Sequence, residues 1–522
     1  MNAASNETVN PLSGIELLNT IYKPDVLQCL ANLSNDEVFT PPQVVNSVLD
    51  LLPETIWSDP TVTFLDPVSK TGVFLREIAK RLLVGLEPKI PKLQDRIDHI
   101  FQKQLYGIAI TELTGLLSRR SVYCSKDASS SWTVSKFQNR QGNIIFKRIK
   151  HTWQNGKCIQ CGASQSEYDR TDNLETHAYQ FIHKSIKQIF GANMKFDVIV
   201  GNPPYQLSDG GHGVSAKPIY HLFVQQAKRM NPRYLTMIIP ARWYAGGKGL
   251  DEFRAEMLND KRISHLVDYD NSASIFPGVD VAGGICYFLW QRDSCGECSI
   301  TNFSNDKKNI MSRSLNEFST LIRSNQAVSI LRKVITAHGN NPYLCDRVSA
   351  RKPFGLPTNY QPQDSGIPCW FIQRIGLKYA QPELIDSRNP YLNQWKLLVP
   401  PAPIAGQTDF SKPVGFYYAG NTRISKPGEC CTESYIIAAA FDTESETLAF
   451  RSYLFTKIIR FLLLQTVVSQ HVTAKNFCFV PDLVHYEGEY TDLVLCQRWG
   501  ISAEEWSYID SKIAVVGRGE NE

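Results

Sequence analysis

Residues 61–83 read as one strand, one tight loop and one helix in immediate succession. Thr61-Val62-Thr63-Phe64-Leu65 is an apolar, β-branched run too short for a helix. It ends in Asp66-Pro67-Val68-Ser69-Lys70-Thr71-Gly72, after which Phe74, Leu75, Ile78, Ala79, Leu82 and Leu83 recur at helical spacing. A strand that feeds a helix through so short a loop belongs to a parallel sheet with helices on its faces. The pattern therefore predicts a doubly wound α/β fold, with a ligand at the helix N-terminus beyond the carboxyl end of the strand. Segments 105–110, 196–201, 234–240, 263–268 and 284–290 read as further strands, 141–145 as a strand-end segment, and 219–230 as an amphipathic helix. From about residue 299 this alternation gives way to short aromatic segments with Pro and Gly, such as 395–400 and 416–418, and a helical stretch over about 448–464.

A chain of 522 residues has room for roughly two to four domains. Its 43% hydrophobic and 20% charged residues are those of an ordinary globular protein. No apolar run approaches the ~20 residues of a membrane span, and the first residues lack a signal-peptide pattern, so no membrane partner is expected. Thirteen scattered cysteines, an odd number, predict reduced thiols and a cytoplasmic location. The net charge of +4 does not imply a nucleic-acid partner by itself; any such contact falls to clusters such as Arg119-Arg120, Lys147-Arg148-Lys150, or Lys457 with Arg460. Residues 1–36 carry one predicted helix, with Pro24 in its first turn and Val26, Leu27, Leu30 and Leu33 on one face. Next comes Phe39-Thr40-Pro41-Pro42, where Thr40 is the expected N-cap and Pro41 a first-turn residue of a second helix.

The strand at 196–201 runs into Asn202-Pro203-Pro204-Tyr205. Two prolines stiffen the loop and remove two backbone donors, so it presents carbonyls. A planar amine suits such a loop: its two N–H groups reach the Asn202 side-chain oxygen and the Pro203 carbonyl, and its ring stacks on Tyr205. Holding both protons this way localises the nitrogen lone pair for attack on an electrophile, with no metal or strong base. Elsewhere, Cys158-Ile159-Gln160-Cys161-Gly162 is a C-x-x-C-G knuckle, with Cys124 and His151 upstream. Cys124, His151, Cys158 and Cys161 are the expected ligands of a structural zinc, with His177 as the other choice for the fourth place. Cys295 and Cys298 read as a hairpin turn.

These motifs, in this order, resemble the gamma-type N6-adenine DNA methyltransferases, and most closely the Eco57I-like methylases of restriction–modification systems. The resemblance covers roughly residues 37–290. It implies a Rossmann-like methyltransferase fold dependent on S-adenosylmethionine (SAM), with a seven-stranded, mostly parallel sheet, an inserted zinc-ribbon-like segment and a C-terminal α+β target-recognition domain. The implied divisions are a helical segment at 1–36, a catalytic domain at 37–298 with its insertion at about 124–170, and the recognition domain at 299–522. By the same resemblance Asn202, Pro203, Pro204 and Tyr205 form the catalytic loop, and Thr40, Pro41, Asp66, Lys70, Thr71, Gly72 and Phe74 hold SAM. The family has a glycine where this chain has Lys70, whose ammonium is then expected beside the SAM carboxylate. It has an acidic residue where this chain has Ala109, which leaves Glu112 for the ribose; Asn143 is expected near the adenine ring. Phe276, in the 274–281 loop, is expected to stack on the target base opposite Tyr205. The implied activity is methyl transfer from SAM to N6 of an adenine flipped out of double-stranded DNA, alongside a separate restriction endonuclease or helicase subunit. Two alternatives remain open: a protein-glutamine or RNA methyltransferase, and a catalytically idle DNA-binding subunit.

Overall fold

The computed structural model describes residues 39–516 apart from 170–175, 192–193, 208–216, 245–246, 248, 277–280, 282, 305–306, 406–411, 417 and 468–470. The helix expected within 1–36 lies outside the described residues, as does most of the 274–281 loop beyond Phe276.

A nine-stranded sheet organises the N-terminal part. In chain order its strands are β1 (Phe64–Ser69), β2 (Leu105–Ala109), β3 (Ile144–Ile145), β4 (Val198–Gly201), β5 (Tyr234–Pro240), β6 (Ile263–Tyr269), β7 (Ile285–Gln291), β8 (Cys298–Ser304) and β9 (Lys307–Arg313). Across the sheet the order is β9-β8-β6-β7-β5-β4-β1-β2-β3. Strands β1 to β5 pair in parallel, β7 runs antiparallel to both neighbours, and β8 pairs with β6 in parallel. The chain moves outwards from β1 to β3, then returns to lay β4 on the other side of β1. That reversal opens a crevice at the carboxyl ends of β1 and β4, the place where doubly wound sheets bind ligands.

The sheet exceeds the expected seven strands by the β8–β9 hairpin, which adds residues assigned from sequence to the C-terminal domain. The 295–298 segment is correspondingly not a hairpin turn, because it leads from β7 to β8, which pairs with β6. Helices α1 (Pro42–Leu49), α2 (Val73–Gly85), α3 (Glu112–Tyr123) and α4 (Tyr220–Arg229) flank the sheet. Their apolar stripes make two cores. Val45, Leu49, Leu75, Ile78 and Leu82 pack with Phe64 and Val200 on one face, and Phe223, Val224 and Ala227 pack with Leu65, Ile199 and Leu235 on the other.

Beyond Arg313, a helix (Asn325–His338) leads into two three-stranded sheets and a helical cluster, with a core that includes Val328, Leu331, Leu397, Ile436, Phe450 and Leu462. The helical stretch expected over about 448–464 consists of two helices, Glu444–Phe455 and Lys457–Leu464. Thr456 breaks it, its hydroxyl capping the second helix through Ile459 N. Among the described residues no helix is long and apolar enough to cross a membrane.

Candidate active site

Two loops meet in the crevice. Asp66 to Ser69 complete β1, which therefore runs further than the expected 61–65, and Lys70 to Gly72 carry the chain into α2, with Gly72 at φ +73°. A Cβ at Gly72 would come within 2.9 Å of Ser118 Oγ, and Ser118 bonds Ser69 at 2.6 Å, so the turn is glycine-specific and braced from α3. Lys70 needs no such freedom, because it is absent from the positive-φ residues. The buried Asp66 carboxyl accepts from Val68 N at 3.1 Å. Burial raises its pKa to about 7, opposed by the Val68 and Ser69 hydrogen bonds and the Lys70 ammonium.

After β4 comes Asn202-Pro203-Pro204-Tyr205. Gly201, the last residue of β4, lets the two segments approach closely: a Cβ there would lie 2.9 Å from Val68 Cγ2 and 3.2 Å from Asp66 Oδ1. Asn202 is 3% exposed, and its Nδ2 donates to Thr40 Oγ1 at 3.0 Å. With the amide nitrogen held by Thr40, the carbonyl oxygen is the acceptor end of the side chain. Tyr205 is half-buried against the α1 side of the core, and its backbone oxygen accepts from Ile219 N at 3.1 Å. Burial pushes its phenol pKa far up, so the ring stays neutral.

Phe39, Thr40, Asp66, Val68, Lys70, Thr71, Gly72, Val73, Phe74 and Asn202 line one cleft. The sequence-predicted residues it gathers are Thr40, Asp66, Lys70, Thr71, Gly72, Phe74 and Asn202. Thr40 is there for a different reason than expected. The helix starts at Pro42 with Pro41 as its N-cap and no side-chain cap, so the Thr40 hydroxyl serves Asn202 instead. Pro41 does not line the cleft.

Four predicted residues are placed elsewhere. Glu112 is the first residue of α3 and points to solvent. Asn143 precedes β3, at the opposite end of the strand from the crevice. Its Nδ2 is shared between Phe101 O and Gln102 O, each at 3.0 Å, so it holds the chain entering β2. Phe276 is 1% exposed and belongs to the core with Val45 and Ile285, which leaves no ring face for a base. Cys124 is the exposed C-cap of α3 at φ 63°.

The cysteine knuckle lies between β3 and β4, on a hairpin pairing Trp153–Gln154 with Lys157–Cys158. Residues 124–143 lead into β3 of the main sheet, so the insertion begins later than about 124 and runs past 170. His151, Cys158, Cys161 and His183 bring one ligand atom each to within 4.8 Å of one another. His183 takes the place expected for Cys124, and His177 instead packs edge-on against Tyr168 and Tyr179. Of the predicted basic clusters, Arg120, Lys147, Arg148 and Lys150 are exposed, whereas Arg119 and Arg460 are buried. Arg119 donates to Lys126 O and Ile144 O, Arg460 to Phe455 O and Ala514 O, and Lys457 pairs with Asp510.

Sequence reading missed a brace at the carboxyl end of β6. Arg323 donates to Asp268 Oδ2, Gly283 O and Tyr269 O, each at 2.6 Å, and Tyr244 Oη donates to Asp268 Oδ1 at 3.0 Å. Phe39, the first residue of the Phe39-Thr40-Pro41-Pro42 segment, is a wall of the cleft beside Thr40.

The strand order and the paired segments at its reversal define a doubly wound α/β fold with a large, mostly parallel sheet. Residues 103–276 match the family described as Eco57I restriction-modification methylase. A Mycoplasma pneumoniae protein described as an uncharacterized adenine-specific methylase is 37% identical over 344 residues, 60% of this chain and 81% of that protein. The chain belongs to the Eco57I restriction-modification methylase family. Among solved structures, the modification subunit of a putative type I restriction enzyme from Vibrio vulnificus overlays with a TM-score of 0.35 at 15% identity, covering 57% of this chain and 53% of that one. The type IIG restriction endonuclease BpuSI gives 0.38 at 10% identity, covering 91% and 62%. The chain thus spans about half the length of that modification subunit.

Proposed function

We propose that this chain is a site-specific DNA methyltransferase that uses SAM to methylate N6 of an adenine swung out of double-stranded DNA. Its setting is a restriction–modification or phage-defence system, where it is the modification component. The supporting observation is Asn202 at the crevice, its amide oriented by Thr40, against the Asp66 loop.

The residues of the cleft fit SAM. The left-handed Gly72 lets the backbone approach a ligand closely at the start of α2, and Asp66 and Lys70 offer opposite charges to an amino-acid moiety. Bound there, SAM supplies an electrophilic methyl group. The chain's own part is orientation. Asn202 Oδ1 and Pro203 O accept the two N6 protons, which localises the lone pair, and positioning supplies most of the acceleration. The Tyr205 ring stacks on the base, worth ~1–3 kcal/mol, against a few kcal/mol for leaving the duplex. Residues C-terminal to the sheet read the site on DNA. A separate restriction endonuclease or helicase subunit is the proposed partner, and the proposed location is cytoplasmic. We also infer a structural zinc ion in the insertion, supported by the His/Cys cluster.

Methyl-labelled SAM and DNA lacking N6-methyladenine test the reading. Purified chain should label DNA, and methylation-aware sequencing should return one short motif. Label that enters RNA or protein but not DNA would overturn it.

A further inference from the structure

The insertion departs from its sequence reading at one residue, His183, and the departure has a geometry. His151 Nε2 lies 2.7 Å from Thr176 O, and His183 Nδ1 lies 2.8 Å from Tyr179 O. A carbonyl only accepts, so both of those nitrogens carry the proton. The other nitrogen of each ring, Nδ1 of His151 and Nε2 of His183, is left with its lone pair. Each lone pair faces a thiol. His151 Nδ1 is 3.4 Å from Cys161 Sγ, and His183 Nε2 is 3.5 Å from Cys158 Sγ.

Those two distances are informative. A tetrahedral zinc ion, ~2.3 Å from sulfur and ~2.0 Å from nitrogen, holds sulfur and nitrogen ligands about 3.5 Å apart. The remaining ligand-atom separations stay within 4.8 Å, so closing by about 1 Å completes the tetrahedron. Two thiolates and two imidazoles in that shape select zinc over the oxygen-seeking cations. The backbone carbonyls behind the two imidazoles are the outer partners that fix ligating histidines in known sites. The knuckle itself is preformed: Gly162, at φ +71°, donates its N–H to Cys158 O at 2.9 Å.

We propose that His151, Cys158, Cys161 and His183 bind one zinc ion that clamps the insertion to the helix behind the catalytic loop, and so sets the position of Tyr205. The proposal rests on the structural zinc inferred above and adds its ligands and its task. His183 ends a short helix (Gln180–His183) whose Phe181 stacks on Phe223 of α4, with centroids 6.0 Å apart and planes at 16°. Tyr179, whose carbonyl holds His183, meets the same Phe223 edge-on at 5.5 Å. The residue before α4, Ile219, donates its N–H to Tyr205 O. The path from ion to catalytic loop therefore runs through His183, Phe181, Phe223 and Ile219. Helix Gln180–His183 spans one turn and cannot hold itself in place, so a metal bond at its last residue is an effective anchor.

Full-length protein purified without added metal should contain about one zinc per chain by elemental analysis. His183→Ala should lose it, whereas His183→Cys, which keeps a soft ligand, should regain it. Cys124→Ser should retain it with unchanged activity. The positioning role predicts a divided kinetic result: in His183→Ala, kcat for methyl transfer falls tenfold or more while SAM affinity stays within about twofold, and His183→Cys restores kcat. If no variant or wild-type protein holds zinc, both the proposal and the inference beneath it fail. If zinc is present but survives His183→Ala and leaves with Cys124→Ser, only the ligand assignment fails. If zinc is lost with kcat unchanged, the clamp is overturned.

Discussion

Replacing Asp66 by Asn removes a charge from an enclosed position in the cleft. The side chain is 3% exposed, and burial lifts its carboxyl pKa from 3.8 to about 7, even though Val68 N–H, Ser69 and Lys70 all favour the charged form. A carboxyl that holds its proton more tightly in the folded state costs stability as pH rises. The cost is absent below about pH 4, where folded and unfolded chains are both protonated; it grows between about 4 and 7 and is complete above 7. Roughly three pH units at about 1.36 kcal/mol each give a ceiling of about 4 kcal/mol. Asn keeps an oxygen for Val68 N–H, but it takes from Lys70 a nearby opposite charge, which returns part of the gain. We therefore expect Asp66→Asn, without SAM, to be more stable than the parent by about 2–3 kcal/mol at pH 8 and equal to it near pH 4. Urea unfolding of both proteins across that range measures the difference. An Asp66→Asn protein less stable than the parent at pH 8, or a gap that does not shrink with falling pH, would refute burial as the dominant effect.

Asn202→Ala should abolish methyl transfer with SAM affinity within about twofold, because the amide acts on the substrate amine; single-turnover assays and a SAM titration separate the two effects. Tyr205→Ala should weaken the grip on a flipped base by ~1–3 kcal/mol, read as fluorescence of 2-aminopurine at the target position. Lys70→Ala should reduce SAM affinity roughly tenfold, the worth of a charge-assisted contact of about 1.5 kcal/mol, and calorimetry showing unchanged or tighter binding would place its ammonium away from the cofactor. Arg323→Ala should destabilise the protein by about 3 kcal/mol in thermal unfolding, because it strands the buried Asp268 carboxylate.

The parts legible in the sequence are those set by local order. A strand running into Asp66–Gly72 and another running into Asn202 fixed the kind of sheet, and two loops that follow parallel strands must open on the same edge. What stayed hidden depends on register and on distant packing. Asn143 sits beside a strand, but which end of that strand it occupies follows only from the pairing of Gly107 with Ile144. Phe276 carries no mark that separates a core ring from a base-stacking one until α1 is seen to cover it. Nearness in sequence does not choose the fourth ligand between Cys124 and His183; only the packing of the short helix that carries His183 brings its ring to the knuckle. In the β8–β9 hairpin the alternation of a strand holds only over Cys298–Thr301 and is lost in Lys307–Arg313, so the hairpin reads like the irregular segments that follow it.

That hairpin changes where the molecule can be divided. β8 lies along β6 over five register pairs, His265–Ser299 to Tyr269–Phe303. A chain ended at residue 298 would leave β6 as a bare edge, with unpaired amides along the strand whose far end Asp268 and Arg323 brace, an open template for self-association. Chimeras that graft a new recognition domain onto this catalytic sheet should be joined beyond Arg323, so that the sheet travels with its own border and with the brace on Asp268.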